Sequence, residues 1–160
     1  MNKAYLLIGG NTGDRNEYLK QAIAAIQLKA GTVLRCSRLY ETAAWGKTDQ
    51  PAFLNQCLLL HTSLTPEALL DCILQIESQL GRIRTEKYGP RTIDIDILLF
   101  NHLILDHPRL RLPHPELPNR RFALAPLQEL APRYRHPELQ QTITQLLKTC
   151  PDPLPVLALD

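Results

Sequence analysis

The chain has 160 residues, of which 44% are apolar and 21% charged, and a formal net charge of +2. That length suits one domain able to bury about 70% of its unfolded surface, and the composition is that of an ordinary globular protein, not of a disordered tail or a dedicated polyanion scaffold. Cysteines 36, 57, 72 and 150 form no Cys-x-x-Cys and have no companion His spacing, which excludes a zinc or dithiol motif; they are expected as reduced core thiols. The apolar run before Gly9 is five residues, too short for a signal peptide or membrane span, so a cytoplasmic protein is expected.

Residues 4–8 are apolar and β-prone and end at Gly9-Gly10-Asn11, which predicts a buried first strand running into a turn. Asp14 then opens a helix with Glu17 three residues on, Leu19, Ile23, Ile26 and Ala30 line one face, and Gly31 stops it. The glycines lack the Gly-x-Gly-x-x-Gly order of a phosphate loop, so tight backbone geometry explains them better. A second strand is expected over 32–42 and a third over 53–64. Between them Gly46-Lys47-Thr48 looks like the end of a Walker A motif but has Glu41 where the upstream glycine belongs and Pro51 where a helix should follow. This tract is expected to be a mobile loop, with Trp45 either a hydrophobic anchor or a cover for a flat ligand.

Thr65-Pro66 predicts the next helix start, Leu69, Ile73, Ile76 and Leu80 its core face, and Gly81 its end. Glu77 lies near the C-terminus of that helix, where a carboxylate is disfavoured unless it is solvated or accepts hydrogen bonds from a ligand. Between Arg82 and Arg121 there are eight basic residues, seven of them Arg, against five acids, a local bias suited to bidentate phosphate contacts. The stretch from Lys87 to Phe100 then places Asp94 and Asp96 on one face of a strand, with Ile93, Ile95, Ile97 and Leu99 on the other. The carboxylate face turns apolar at Leu98 and Phe100, which puts the acids at the wetter, N-terminal end. Two adjacent carboxylates need a shared cation or a retained proton, and hydrated Mg²⁺ with phosphate ligands fits the first option.

After Phe100, Asn101-His102 predicts a tight turn into a hairpin strand over 103–105. Pro113 and Pro115 fix the backbone on both sides of His114. A helix is expected over 122–130 with Pro126 near its start, and a second over 138–148, followed by a proline-rich tail with no evident chemistry. The order strand, helix, strand, strand, helix, strand predicts an α+β fold: a ferredoxin-like βαββαβ sheet with helices on one face, plus an extra C-terminal hairpin and helices. Residues 1–160 would form one domain, with 132–160 packed on it as helix and tail.

The motif Lys-Tyr-Gly-Pro-Arg-x-x-Asp-Ile-Asp-Ile-Leu, beginning at Lys87, resembles the signature of the 6-hydroxymethyl-7,8-dihydropterin pyrophosphokinase family, and the similarity runs from Tyr5 to about His136. Members of that family move pyrophosphate from ATP to a pterin alcohol in folate biosynthesis and release AMP. The resemblance implies that Asp94 and Asp96 hold two Mg²⁺ and act as catalytic residues with Arg82 and Arg91. It implies ATP as co-substrate beside Glu77, Arg82, Arg84, Tyr88, Arg91, Ile97, Arg109, Arg111, His114 and Arg120. It implies a pterin pocket of Gly9, Thr42, Ala43, Trp45, Phe53, Asn55, Asp94 and Phe122. This chain departs from the family pattern at Ala43-Ala44, where prolines are common, at Tyr88, where an indole is common, and at Arg111 and Pro115, which stand at positions often hydroxyl-bearing.

Two other classes compete. A ferredoxin-like RNA-binding module would need basic, glycine and aromatic residues on its third strand, which 53–61 lacks, and has no use for paired carboxylates that repel phosphate. Another Mg²⁺-dependent phosphoryl transferase would differ by releasing ADP. The expected partners are therefore small-molecule substrates, without nucleic acid or membrane, and a monomer is the default.

Overall fold

The structure, a computed structural model, describes residues 1–43, 51–81 and 93–159. Strand β1 (Asn2–Gly10) leads through α1 (Arg15–Lys29) to β2 (Thr32–Cys36) and β3 (Leu39–Thr42), and then to β4 (Phe53–Thr62), α2 (Pro66–Gln79) and β5 (Asp94–Phe100). All pairings are antiparallel in the order β5-β1-β4-β3, with β2 pairing a different stretch of the long β4. This is the expected βαββαβ arrangement. The strand expected over 32–42 is two strands because Ser37 interrupts it. Its hydroxyl replaces a backbone acceptor, taking the Cys57 amide at 2.9 Å, while its own amide donates to the Cys57 carbonyl at 2.8 Å.

Both helices start where the sequence places their caps. Asp14 accepts from the Glu17 amide and Thr65 from the Ala68 amide with Pro66 in the first turn, each cap worth about 1 kcal/mol. Helices α1 and α2 cover one sheet face, packing Leu19, Ile26, Leu69, Ile73 and Ile76 on Leu6, Ile8, Leu58 and Leu60. The other face is covered by the later helices α3 (Arg121–Leu130) and α4 (Ile143–Lys148), which bring Leu124, Leu127, Ile143 and Leu146 onto Leu7, Cys57, Leu59 and Leu98.

A register shift in β5 changes the expected facing of its last residues. Tyr5 pairs with Leu99 and Leu6 with Ile97, so Leu98 is an extra residue in the β1–β5 ladder. Beyond it Leu99 joins the α3 face and Phe100 the α1–α2 face, the reverse of strict alternation. The Leu98 carbonyl accepts the His114 amide at 3.0 Å, so the bulge ties the 113–115 segment to β5.

The hairpin also differs from expectation. The expected turn at 101–102 is present, with Asn101 at a left-handed φ of 51°, but residues 103–104 are irregular and β6 (Leu105–His107) pairs with β7 (Leu110–Leu112) instead of folding back on β5. The helix expected over 138–148 begins only at Ile143. His136 Nδ1 accepts the Glu138 and Leu139 amides, Gln140 has a φ of 57°, and this side-chain-held turn occupies the positions before the Thr142–Gln145 capping box. The tail ends as β8 (Val156–Leu159), which pairs with β3 and extends the sheet. Cys57 and Cys150 are core thiols as expected, Cys72 is partly buried and Cys36 is exposed on β2. Among the described residues no helix is long and apolar enough to cross a membrane.

Candidate active site

Directly paired residues of neighbouring strands share a face. The register therefore lays Tyr40, Asn55, Gly9 and Asp94 in one row across β3, β4, β1 and β5. Cys57, Leu7 and Asp96 form the next row, and Thr42 stands beside Phe53 on the far side of the first. Leu7 and Cys57 lie under α3 and α4, so both carboxylates, Asn55, Phe53 and Thr42 share that face. Phe122, from the first turn of α3, packs against the same apolar cluster. Phe53, Phe122, Asp94 and Asp96 are half-buried, which marks the end of the core where the sheet opens.

Gly9 is needed by its neighbour. A Cβ there would lie well inside contact distance of Asn55 Oδ1 and 3.0 Å from the Leu54 carbonyl oxygen. The Asn55 amide thus leans across β1, into the space between its own strand and Asp94. Thr42 is 3% exposed, and its Oγ1 has no hydrogen-bond partner among the described residues. A buried hydroxyl left in this way costs about 1–3 kcal/mol unless something else satisfies it.

Glu77, 4% exposed, is not solvated. Its Oε2 accepts the Ile95 amide at 2.7 Å, gripping β5 between the two aspartates from the sheet's outer edge. The charge-assisted bond offsets the unfavourable end of the α2 dipole.

Asp96, Ile97, Arg109, Arg111 and His114 line one open cleft of about 310 Å³ between β5, the β6–β7 hairpin and Leu70 of α2. Arg109 is held by Asp71 of α2, and Arg111 lies 3.3 Å from Asp106 across the hairpin. Arg120 extends over the Phe122 ring, 5.8 Å from its centroid. Ala43 is exposed just beyond β3. Trp45, the Gly46-Lys47-Thr48 tripeptide, Arg82, Arg84, Tyr88 and Arg91 lie outside the described residues.

Burial, reinforced by the nearby Arg120 cation and opposed by Glu116 and Asp94, pushes the His114 pKa down to about 4. Its Nδ1 accepts the Glu116 amide at 3.2 Å, which assigns the proton of the neutral ring to Nε2 and makes that nitrogen a donor. The shift has a stability consequence. Between pH 6.5 and about 4 the unfolded chain binds a proton at His114 that the native state refuses. The stability contributed above pH 6.5 is therefore lost as pH falls through this window, by about 3 kcal/mol. Urea unfolding at pH 7 and pH 4 should show a smaller acid loss in His114→Asn than in the unaltered chain; equal losses would refute the assignment.

Several residues that build this site carry no local sequence signal. Arg15 donates to Glu41 at 2.7 Å and to the Ala52 carbonyl at 3.0 Å, joining the end of β3 to the approach to β4. Asn11, 1% exposed, donates to the Pro51 carbonyl. Glu129 on α3 accepts from the Tyr40 hydroxyl at 2.7 Å and from Arg38. Burial pushes its carboxyl up, but the Tyr40 and Arg38 bonds prevail and hold it below the usual range. Each contact joins elements distant in the chain.

The family model for 7,8-dihydro-6-hydroxymethylpterin-pyrophosphokinase (HPPK) matches residues 5–132. A Bacillus subtilis protein named 2-amino-4-hydroxy-6-hydroxymethyldihydropteridine pyrophosphokinase is 48% identical over 130 residues, 81% of this chain and 78% of its own length. A Pseudomonas aeruginosa protein of the same name is 39% identical over 152 residues, 94% of this chain and 93% of its own. Among solved structures, a triple mutant of Plasmodium falciparum HPPK-DHPS superposes with a TM-score of 0.74 at 20% identity, covering 92% of this chain. This chain spans 43% of that longer one, and the likeness there is of fold alone. Fold and sequence together define a pyrophosphokinase, an enzyme of the diphosphotransferase class. The chain belongs to the 7,8-dihydro-6-hydroxymethylpterin-pyrophosphokinase family.

Proposed function

We propose that the chain transfers the terminal diphosphoryl group of ATP to the hydroxymethyl oxygen of 6-hydroxymethyl-7,8-dihydropterin, in folate biosynthesis. The hydroxyl oxygen gives up its proton to solvent and bonds to the β-phosphorus, the bond between that phosphorus and the α,β-bridging oxygen breaks, and AMP leaves. The observation that carries this reading is the row of Asn55, Gly9 and Asp94 on one face. It places an amide able to read a heterocycle edge beside the first of two carboxylates. Asp96, the second, opens into the cleft that His114, Arg109 and Arg111 line. Asn55 and the orphaned Thr42 hydroxyl supply directional hydrogen bonds to the pterin edge, and Phe53 and Phe122 supply apolar faces.

On the nucleotide side, the Nε2 proton of His114 and the guanidinium of Arg120 face the developing phosphate charge, joined by Arg82, Arg84 and Arg91 from beyond the described residues. Asp94 and Asp96 fit Mg²⁺, which takes one or two carboxylates and completes its shell with water and substrate phosphates; the reading assigns two ions. Bound Mg²⁺ would neutralise triphosphate charge and lower the pKa of the attacking alcohol. A monomer is also part of this reading, since large exposed apolar side chains such as Leu28, Leu74 and Leu157 lie on separate elements.

Nucleotide product analysis tests the proposal. Mg²⁺-ATP should yield AMP only when the hydroxymethyl-dihydropterin is present. ADP as product, or AMP formed equally without the pterin, would overturn it.

A further inference from the structure

The family match ends at residue 132, yet the chain beyond it reaches back to the site. The helix α3 has no cap of its own: Arg120 is its N-cap residue and makes no side-chain capping bond. Asp152, 3% exposed in the C-terminal tail, supplies the missing acceptor. Its Oδ2 takes the Arg121 amide at 3.2 Å and its Oδ1 takes the Leu154 amide at 3.0 Å. The Arg121 side chain answers in the other direction, donating from Nε to the Asp152 carbonyl at 3.2 Å and from its terminal nitrogen to the Cys150 carbonyl at 3.1 Å. A carboxylate at this end of the helix also complements the dipole.

Arg121 lies between Arg120 and Phe122, the residues read above as contacts for the nucleotide and the pterin. We propose that Asp152 is a positioning residue for both substrates, fixing from the tail the helix start from which Arg120 and Phe122 project. This rests on the reading of those two residues under the proposed function. Three hydrogen bonds tie Arg121 to Asp152 and Cys150 and a fourth, within the tail, ties Leu154 to Asp152, while β8 follows directly and pairs with β3, whose Thr42 lies opposite Val156. The tail therefore fixes two walls of the site together. Loosening it displaces both contacts by fractions of an ångström, which binding and transfer register.

The experiment is steady-state AMP formation by Asp152→Ala and Asp152→Asn, at a temperature where circular dichroism shows each folded. Thr142→Ala serves as control: it removes a cap from the same tail, at α4, which supplies no residue to the proposed site. Asp152→Ala should raise KM for both ATP and the pterin about tenfold, and Asp152→Asn, which keeps the volume and one acceptor, by a smaller factor. Thr142→Ala should lower the thermal midpoint and leave both KM values within about twofold. If Asp152→Ala does not fold, Asp152→Asn decides. A lowered midpoint with unchanged KM values in the Asp152 variants would overturn the proposal. Arg120→Ala and Phe122→Ala separate the two readings: should neither change its substrate's KM, the site assignment fails, and not the cap.

Discussion

Asp96→Ala is expected to reduce AMP formation about 10³-fold or more, a loss of about 4 kcal/mol of transition-state stabilisation. The magnitude follows from what the carboxylate is asked to do. An arginine in the cleft contributes one of several positive charges, whereas each aspartate is one of the two side chains assigned to hold the cations. The fold should survive the change. Asp96 is half-exposed on an edge strand and belongs to neither apolar core cluster. A cooperative thermal transition of the variant without ligand then separates a functional loss from an unfolded sample. Retained turnover at saturating Mg²⁺ would sink the metal assignment. Asp96→Asn, with the same shape and no charge, should lose nearly as much as alanine.

The parts of this molecule legible in the sequence are those whose cause is local. Asp14 and Thr65 stand next to the helices they cap, Gly81 next to the helix it ends with a φ of 84°, and the Asp94–Asp96 pair follows from strand period alone. The bulge at Leu98 could not be read, because Ile97-Leu98-Leu99-Phe100 is uniformly apolar. Alternation carries no signal there, and both faces of β5 are buried at that end. Nor could the role of Glu77 be read, since its acceptor function depends on an amide 18 residues away, or that of Asp152, whose partner is 31 residues away. His114 was marked by its flanking prolines, but its neutral state comes from burial and from Arg120. Sequence showed the chemistry-bearing residues. Sheet register and tertiary bonds, which sequence does not encode locally, decide which of them share a face.

Gly9→Ala should damage both stability and pterin recognition through one atom. The added Cβ would clash with Asn55 Oδ1, and the Leu54 carbonyl 3.0 Å away leaves no room on the backbone side. Strand β1 cannot shift to make room, because β4 and β5 pair with it on both edges. The Asn55 amide must rotate away or the β1–β4 ladder must part, at a cost of about 1–3 kcal/mol. That corresponds to a fall of roughly 3–10 °C in thermal midpoint for a domain of this size. KM for the pterin should rise about tenfold or more, since the displaced amide is the group assigned to read its edge, while KM for ATP changes little. A double-mutant cycle isolates the contact. In an Asn55→Ala background the new Cβ no longer meets an amide, so the stability cost of Gly9→Ala should shrink by about 1 kcal/mol or more. An undiminished cost would mean that the close approach of Leu54, and not Asn55, is what requires glycine at this position.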